Sequence, residues 1–201
     1  MILFNVLTLS FVCVNAFLMK DNVKLSGTKN SIENTEFMSM PNYTSIALEI
    51  QTLLLKQKKT VSTAESCTSG KIAAALSCIS NASKVFKGGI VAYCNEAKEN
   101  LLKVPHHIIA NYTEVSEQTI KEMLKGSMSA YRSDYAIAST GYAELDITAP
   151  KERQGLIYIG VSSKDKFSIK ELHVTGARVD NTNEAVTEAL TLFVEFLKAD
   201  N

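Results

Sequence analysis

The sequence predicts an α/β protein, a three-layer α/β/α sandwich around a mixed, mostly parallel sheet. Three observations carry this reading. From Tyr43 onward, short apolar runs alternate with longer stretches of helical periodicity, the pattern that joins parallel strands through helices. Near the C-terminus two apolar runs, Gly155–Ser162 and Phe167–Val174, are separated by the polar turn Lys164-Asp165-Lys166, too short for a crossover and therefore an antiparallel hairpin. A chain of 201 residues with 46% hydrophobic content can also cover both faces of a sheet within one domain, placed here at residues 42–201.

The elements follow in order. Residues 44–57 are predicted helical, and Thr60–Ala64 is a short apolar strand. The small-residue turn Thr63-Ala64-Glu65-Ser66-Cys67-Thr68-Ser69-Gly70 then opens a helix over 70–79, running through Ile72-Ala73-Ala74-Ala75-Leu76. A strand over 86–93 leads to a helix over 95–103, and Pro105-His106-His107 reads as a surface turn. A helix over 116–130 and a strand over 134–140 precede the hairpin. The last helix, 182–198, opens on Asn181-Thr182-Asn183-Glu184, whose side chains can cap free amides, and carries Val186, Leu190, Phe193, Phe196 and Leu197 as a core-facing stripe.

Ahead of this domain, residues 2–18 are apolar and uncharged, so residues 1–16 are expected to form a signal peptide ending near Ala16, with a short membrane anchor as the other reading. Residues 17–41 are polar and without periodicity, as in a disordered leader. Phe17 after the expected cut, followed by such a leader, resembles the two-part plastid presequences of algae with complex plastids. The alternative is secretion, which would make the sequons at Asn42, Asn81 and Asn111 glycan acceptors.

Composition narrows the function. Lysine plus arginine equals aspartate plus glutamate at 21 each, with no long basic run, so there is no electrostatic footing for nucleic acid, and the expected partner is a small molecule. Three histidines and four cysteines, at 13, 67, 78 and 94 without C-x-x-C spacing, suggest neither a metal centre nor a disulfide framework.

The chemistry centres on Ser66. A strand-to-helix turn lifts a hydroxyl above the sheet, and amides at the helix start can hold a phosphate or an oxyanion. A second junction, Tyr93-Cys94-Asn95-Glu96-Ala97-Lys98, supplies a phenol and an amine. Together Ser66, Tyr93 and Lys98 make a histidine-free catalytic set, provided that burial or a neighbouring cation keeps the lysine neutral. Taken singly, each has a plainer role: Ser66 as a helix cap, Tyr93 as a strand core residue, Lys98 as a solvated helix lysine. Cys67 is a second possible nucleophile, without a nearby histidine to activate it. Ser69-Gly70-Lys71 is not a phosphate-binding P-loop, because Glu65 stands where its first glycine is required.

These segments, with Phe86-Lys87-Gly88-Gly89, Val115-Ser116-Glu117 and Ser139-Thr140-Gly141, resemble the CinA C-terminal domain of competence/damage-inducible proteins, a family that also includes the stand-alone nicotinamide mononucleotide deamidase PncC. The resemblance covers roughly Thr44 to Lys198. It implies a catalytic set of Ser66, Tyr93 and Lys98, with Thr68, Gly70, Thr140, Gly141 and Arg178 binding substrate. The implied reaction is hydrolysis of the carboxamide of nicotinamide mononucleotide, in pyridine nucleotide salvage. It needs no cofactor or metal, and the family suggests a homo-oligomer. The nucleotide-processing domain of full-length CinA proteins has no counterpart in these residues, so a pyrophosphatase is not implied. Read by position alone, Arg178 would pair with Asp180 or a helix end.

Three positions depart from the family pattern. Ser69 replaces a usual glycine and Cys94 a usual serine. After Thr140-Gly141 the family continues Ile-Ala-Gly-Pro, whereas this chain reads Tyr142-Ala143-Glu144-Leu145-Asp146. Carboxylates facing the pocket there would repel a phosphate, so a non-catalytic nucleotide-binding protein, or an amidase for a different amide, is the alternative expectation.

Overall fold

The computed structural model describes residues 41–145 and 150–200. The signal and leader segments, apart from Pro41, lie outside the described residues, as does Asp146. In chain order the elements are α1 Thr44–Gln57, β1 Val61–Glu65, α2 Lys71–Ser77, β2 Phe86–Val91, α3 Asn95–Leu102, α4 His106–Tyr112, α5 Glu117–Tyr131, β3 Tyr135–Gly141, β4 Leu156–Ser162, β5 Phe167–His173 and α6 Arg178–Ala199. Short 3-10 turns occupy Ala82–Lys84 and Lys151–Arg153.

The sheet order is β2-β1-β3-β4-β5. β1 pairs in parallel with β2 and β3, while β4 runs antiparallel to both β3 and β5. Four strands therefore share one direction and β4 alone opposes them. The expected hairpin supplies one antiparallel ladder. The β3–β4 ladder is the second: among its described residues the connecting segment holds a three-residue helical turn, and the chain returns to the neighbouring position.

Alternation along the strands divides the core between two faces. On one, Val61, Ile137, Ile157 and Ile159 meet Ile50 and Leu54 of α1, Ile72 of α2 and Leu190 and Phe193 of α6. On the other, Ala64, Ala136 and Ala138 meet Leu102 of α3, Ile109 of α4 and Ile120, Met123 and Leu124 of α5. Small alanines on the second face let α5 lie close to the sheet. Gly126 continues that tightness, since a Cβ there would fall 1.9 Å from the Leu102 carbonyl oxygen.

Two elements differ from the sequence reading. Pro105-His106-His107 starts a helix, α4, because proline's fixed φ suits the entry of a helix and Ile109 gives the turn an apolar anchor. α6 begins at Arg178, four residues early. Its N-cap is Ala177, with no side-chain cap, and Asn181, read as the cap, instead sits inside the first turn and accepts from the Gly176 N–H at 2.8 Å.

Candidate active site

The parallel strands end at one edge, and a site-bearing residue follows or closes each. β1 stops at Glu65, immediately before Ser66; β2 stops at Val91, shortly before Tyr93; β3 closes with Thr140 and Gly141. Ligands favour such carboxyl-terminal crevices because helix starts and loops converge there. The segment entering β4 and the first residue of α6 close this one into a cavity of about 410 Å³. Of the residues singled out from sequence, Ser66, Tyr93, Lys98, Thr140, Gly141 and Arg178 line it, whereas Thr68 and Gly70 do not.

Lys98 is the decisive side chain. It lies in α3, is only 1% exposed, and its Nζ donates to Ser66 Oγ at 3.1 Å and to the Ala92 carbonyl at 3.1 Å. This is no solvated helix lysine. Burial disfavours its ammonium form more than the charge of Glu114 and the Cys67 and Cys94 thiols favour it, so its pKa falls below the ordinary 10.5. A neutral amine at hydrogen-bond distance from a hydroxyl can take that hydroxyl's proton.

Ser66 is not a helix cap, because its neighbour does the capping. Glu65 is fully buried, and its carboxylate accepts from the amides of Gly70, Ile72 and Ala73 at 3.0, 3.0 and 2.8 Å, from Thr68 Oγ1 at 2.7 Å and from Thr63 Oγ1 at 3.3 Å. Thr68's only hydroxyl proton goes to Glu65, so Ser139, 2.6 Å away, donates to Thr68. Thr68 and Gly70 thus brace the turn from behind, and the helix-start amides expected to face an oxyanion are already occupied. The turn itself offers a replacement: among the described residues, the amides of Cys67 and Thr68 bond to no other residue, while those of Ser66 and Ser69 are bonded to Ser139 O and Ser66 O. Cys67 is buried, and that burial pushes its thiol up to about 11, which leaves too little thiolate to compete with Ser66.

Tyr93 occupies the rim and is 57% exposed, so it is not a core residue, and among the described residues its hydroxyl is not hydrogen-bonded to Ser66 or Lys98. Its hydroxyl instead accepts a short hydrogen bond from Arg178 Nη2. Arg178 also lies 3.6 Å from Glu144, on the segment that departs from the family pattern, and not against Asp180. Asn181 holds that segment on α6: its Nδ2 donates to the Ala143 carbonyl at 2.8 Å.

A further group lines the cavity unannounced by any local motif. Tyr142 OH donates to Glu114 Oε1 at 2.7 Å, Arg153 lies 6.0 Å from the centroid of the Tyr142 ring, and Thr140 Oγ1 donates to the Glu114 backbone carbonyl at 2.7 Å. Burial pushes the Glu114 carboxyl up, but the Tyr142 hydrogen bond, its own amide, Arg153 and Lys98 outweigh that, and its pKa is lowered overall. Tyr142, half-buried and facing that carboxylate, is raised to about 12. Thr140, its proton committed, can serve a ligand only as an acceptor. Among the described residues, no three His, Cys, Asp or Glu side chains gather to hold a metal, and no helix is long and apolar enough to cross a membrane.

Residues 43–197 match the family model of the CinA C-terminal domain. The chain belongs to this CinA family. It is 43% identical over 140 residues to a CinA-like protein of Endomicrobium trichonymphae, an alignment covering 70% of this chain and 33% of that relative. A CinA-like protein of Dictyoglomus thermophilum is 40% identical over 135 residues, covering 67% and 33% of the two chains. The chain thus spans about a third of the length of the curated relatives it matches. Among solved CinA structures, the competence damage-inducible protein A of Klebsiella pneumoniae superposes with a TM-score of 0.74 at 28% identity, covering 78% of this chain and 98% of that one. The competence/damage inducible protein CihA of Agrobacterium tumefaciens gives 0.73 at 30% identity, covering 78% and 96%. The mixed five-stranded sheet with helices on both faces is the CinA fold.

Proposed function

We propose that this CinA-family chain is an amidohydrolase that converts nicotinamide mononucleotide to nicotinic acid mononucleotide and ammonia. The observation that carries the reading is the buried Lys98 amine 3.1 Å from Ser66 Oγ, in a cavity with an arginine at its rim. Ser66 Oγ attacks the carboxamide carbon while neutral Lys98 takes the hydroxyl proton. The amides of Cys67 and Thr68 stabilise the oxyanion, and Lys98 returns the proton to the amine as the carbon–nitrogen bond breaks and ammonia leaves. Water then attacks the acyl-serine, losing its proton to Lys98; the bond between the acyl carbon and Ser66 Oγ breaks as Lys98 returns that proton to Oγ, and the acid departs. Arg178 holds the substrate phosphate, with its fork matching two phosphate oxygens. Tyr93 acts through Arg178 at the rim, its hydroxyl bonded to the guanidinium.

One observation favours a second reading. Glu144 already faces Arg178, so a phosphate must displace a carboxylate to dock, as expected of a site adapted to a phosphate-free amide or to binding alone. The deciding experiment is ammonia release from nicotinamide mononucleotide by the full chain, beside Ser66→Ala and Lys98→Ala. Release by the wild-type protein that both substitutions abolish supports the amidase. A wild-type protein that binds the nucleotide without releasing ammonia supports the second reading.

A further inference from the structure

Glu114 stands apart among the ionised groups of the cavity. The other carboxylate there, Glu144, pairs with Arg178. Glu114 forms no ion pair among the described residues, and Tyr142, at Oε1, is the one other described residue that hydrogen-bonds its carboxylate. Its backbone is anchored by Thr140 and its side chain by Tyr142, so the carboxylate is held in place. Arg153, the nearest candidate to neutralise it, lies by the face of the Tyr142 ring. A part-buried, rigid and ionised carboxylate with one oxygen unengaged by any other described residue, lining the same cavity as Ser66, is a receptor for positive charge.

The charge pattern gives this receptor a direction. Arg178 supplies a cation at the rim, and Glu114 supplies an anion that borders the reacting pair through its interaction with Lys98. A ligand with an anion at one end and a cation at the other complements both. Nicotinamide mononucleotide has this distribution, with a phosphate and a pyridinium ring that bears the carboxamide. We propose that Glu114 is the specificity-determining residue of the cavity, its carboxylate taking up the positive charge of a cationic ring on the amide-bearing end of the substrate. This rests on the amidase reading for the identity of the ring. Tyr142, from the segment that departs from the family pattern, is the positioning residue that aims the carboxylate.

The test compares nicotinamide mononucleotide with its reduced form, which keeps the phosphate, ribose and carboxamide but has an uncharged ring. Calorimetric binding to the full chain is measured for wild type, Glu114→Gln and Tyr142→Phe, with thermal melting to show that each variant is folded. Wild type is expected to prefer the cationic form by on the order of tenfold, the discrimination a partly desolvated charge pair sustains. Glu114→Gln is expected to bring that ratio close to one while leaving affinity for the reduced form in place, and Tyr142→Phe to reduce the ratio partly. Equal affinities in wild type, an unchanged ratio in Glu114→Gln, or an equal loss for both nucleotides would each overturn the proposal. Failure of wild type to bind either nucleotide overturns it together with the amidase reading. A charge preference that disappears in Glu114→Gln, in a protein that releases no ammonia, upholds Glu114 and removes only the catalytic reading.

Discussion

Replacing Glu65 by glutamine tests whether one buried carboxylate organises the reactive turn. Five donors converge on it: Thr68, Gly70 and Ile72 on Oε2, Ala73 and Thr63 on Oε1. Glutamine has the same shape but only one acceptor oxygen. Its better orientation keeps the carbonyl on the three-donor side and sets the amide nitrogen against the Ala73 N–H, donor facing donor across 2.8 Å. Thr63 can rotate and accept, but the Ala73 amide cannot. An orphaned buried N–H costs about 1–3 kcal/mol, and hydrogen bonds to a charged group are worth about 1 kcal/mol more than neutral ones. The easier burial of a neutral amide offsets part of that second loss, which leaves a destabilisation of about 3 kcal/mol. For a domain of this size that corresponds to a fall in Tm of roughly 6–12 °C. The assay is urea and thermal unfolding of the full chain, with and without Glu65→Gln. A shift below about 1 kcal/mol, at an unchanged urea m-value, would refute the reasoning, because a carboxylate that five donors depend on cannot be exchanged so cheaply.

Lys98→Met, which keeps length but removes the amine, is expected to lower ammonia release by about 10² to 10⁴, the usual contribution of a general base, as read in a coupled ammonia assay. In wild type, kcat/KM should rise with pH through a transition below 10.5, since only the neutral amine accepts the proton and burial lowers its pKa. The same shift has a stability consequence of definite sign: between the folded and ordinary pKa values the unfolded chain holds a proton that the folded chain has released, so stability rises with pH across that window. Wild-type and Lys98→Met unfolding curves compared over that range should differ by this slope. Glu144→Gln frees Arg178 from an exposed ion pair and is expected to lower KM for nicotinamide mononucleotide by about two- to fivefold, leaving nicotinamide riboside unaffected; equal effects on both would contradict the phosphate role. At pH 7.5 a thiol reagent should label Cys78 and Cys94, which are exposed, and spare Cys67, whose thiol is buried and raised to about 11; mass spectrometry of the folded protein reads the outcome.

The sandwich was legible because its signals are local. β1 and the hairpin strands are short apolar runs, the turn at 163–166 allows one geometry, and the stripe of Val186, Leu190, Phe193 and Leu197 needs only a 3.6-residue repeat to be seen; all four are buried against the sheet. The ends of elements were less so. Asn181 has the residue type of a helix cap, yet its side chain is drawn to Gly176 and Ala143, and the helix begins ahead of it. α4 was missed because its surface-like sequence hides a single anchoring residue, Ile109, whose burial depends on α5.

The site divides in the same way. Ser66 and Lys98 belong to two short motifs on successive strand-to-helix junctions, so residue type and order were enough to nominate them. Whether the lysine was solvated or buried was a question of packing, which reduced its exposure to 1% and set it against Ser66. Tyr93 shows the converse: nominated with them, it meets Arg178, the first residue of α6, from the far end of the chain. Glu65 could have been noticed as the acidic neighbour of the nucleophile, but its five donors arrive through the three-dimensional turn of β1 into α2. Tyr142 stood out in sequence only as part of a departing segment, and its pairing with Glu114 carried no signal, the two being separated by a whole helix and strand. The sequence by itself therefore determined the layers, the order of elements and the nomination of Ser66 and Lys98, because periodicity and short motifs act through neighbouring residues. Tertiary structure alone decided protonation, partnership and the charge pattern of the cavity, because burial and Coulomb interactions depend on distances in space.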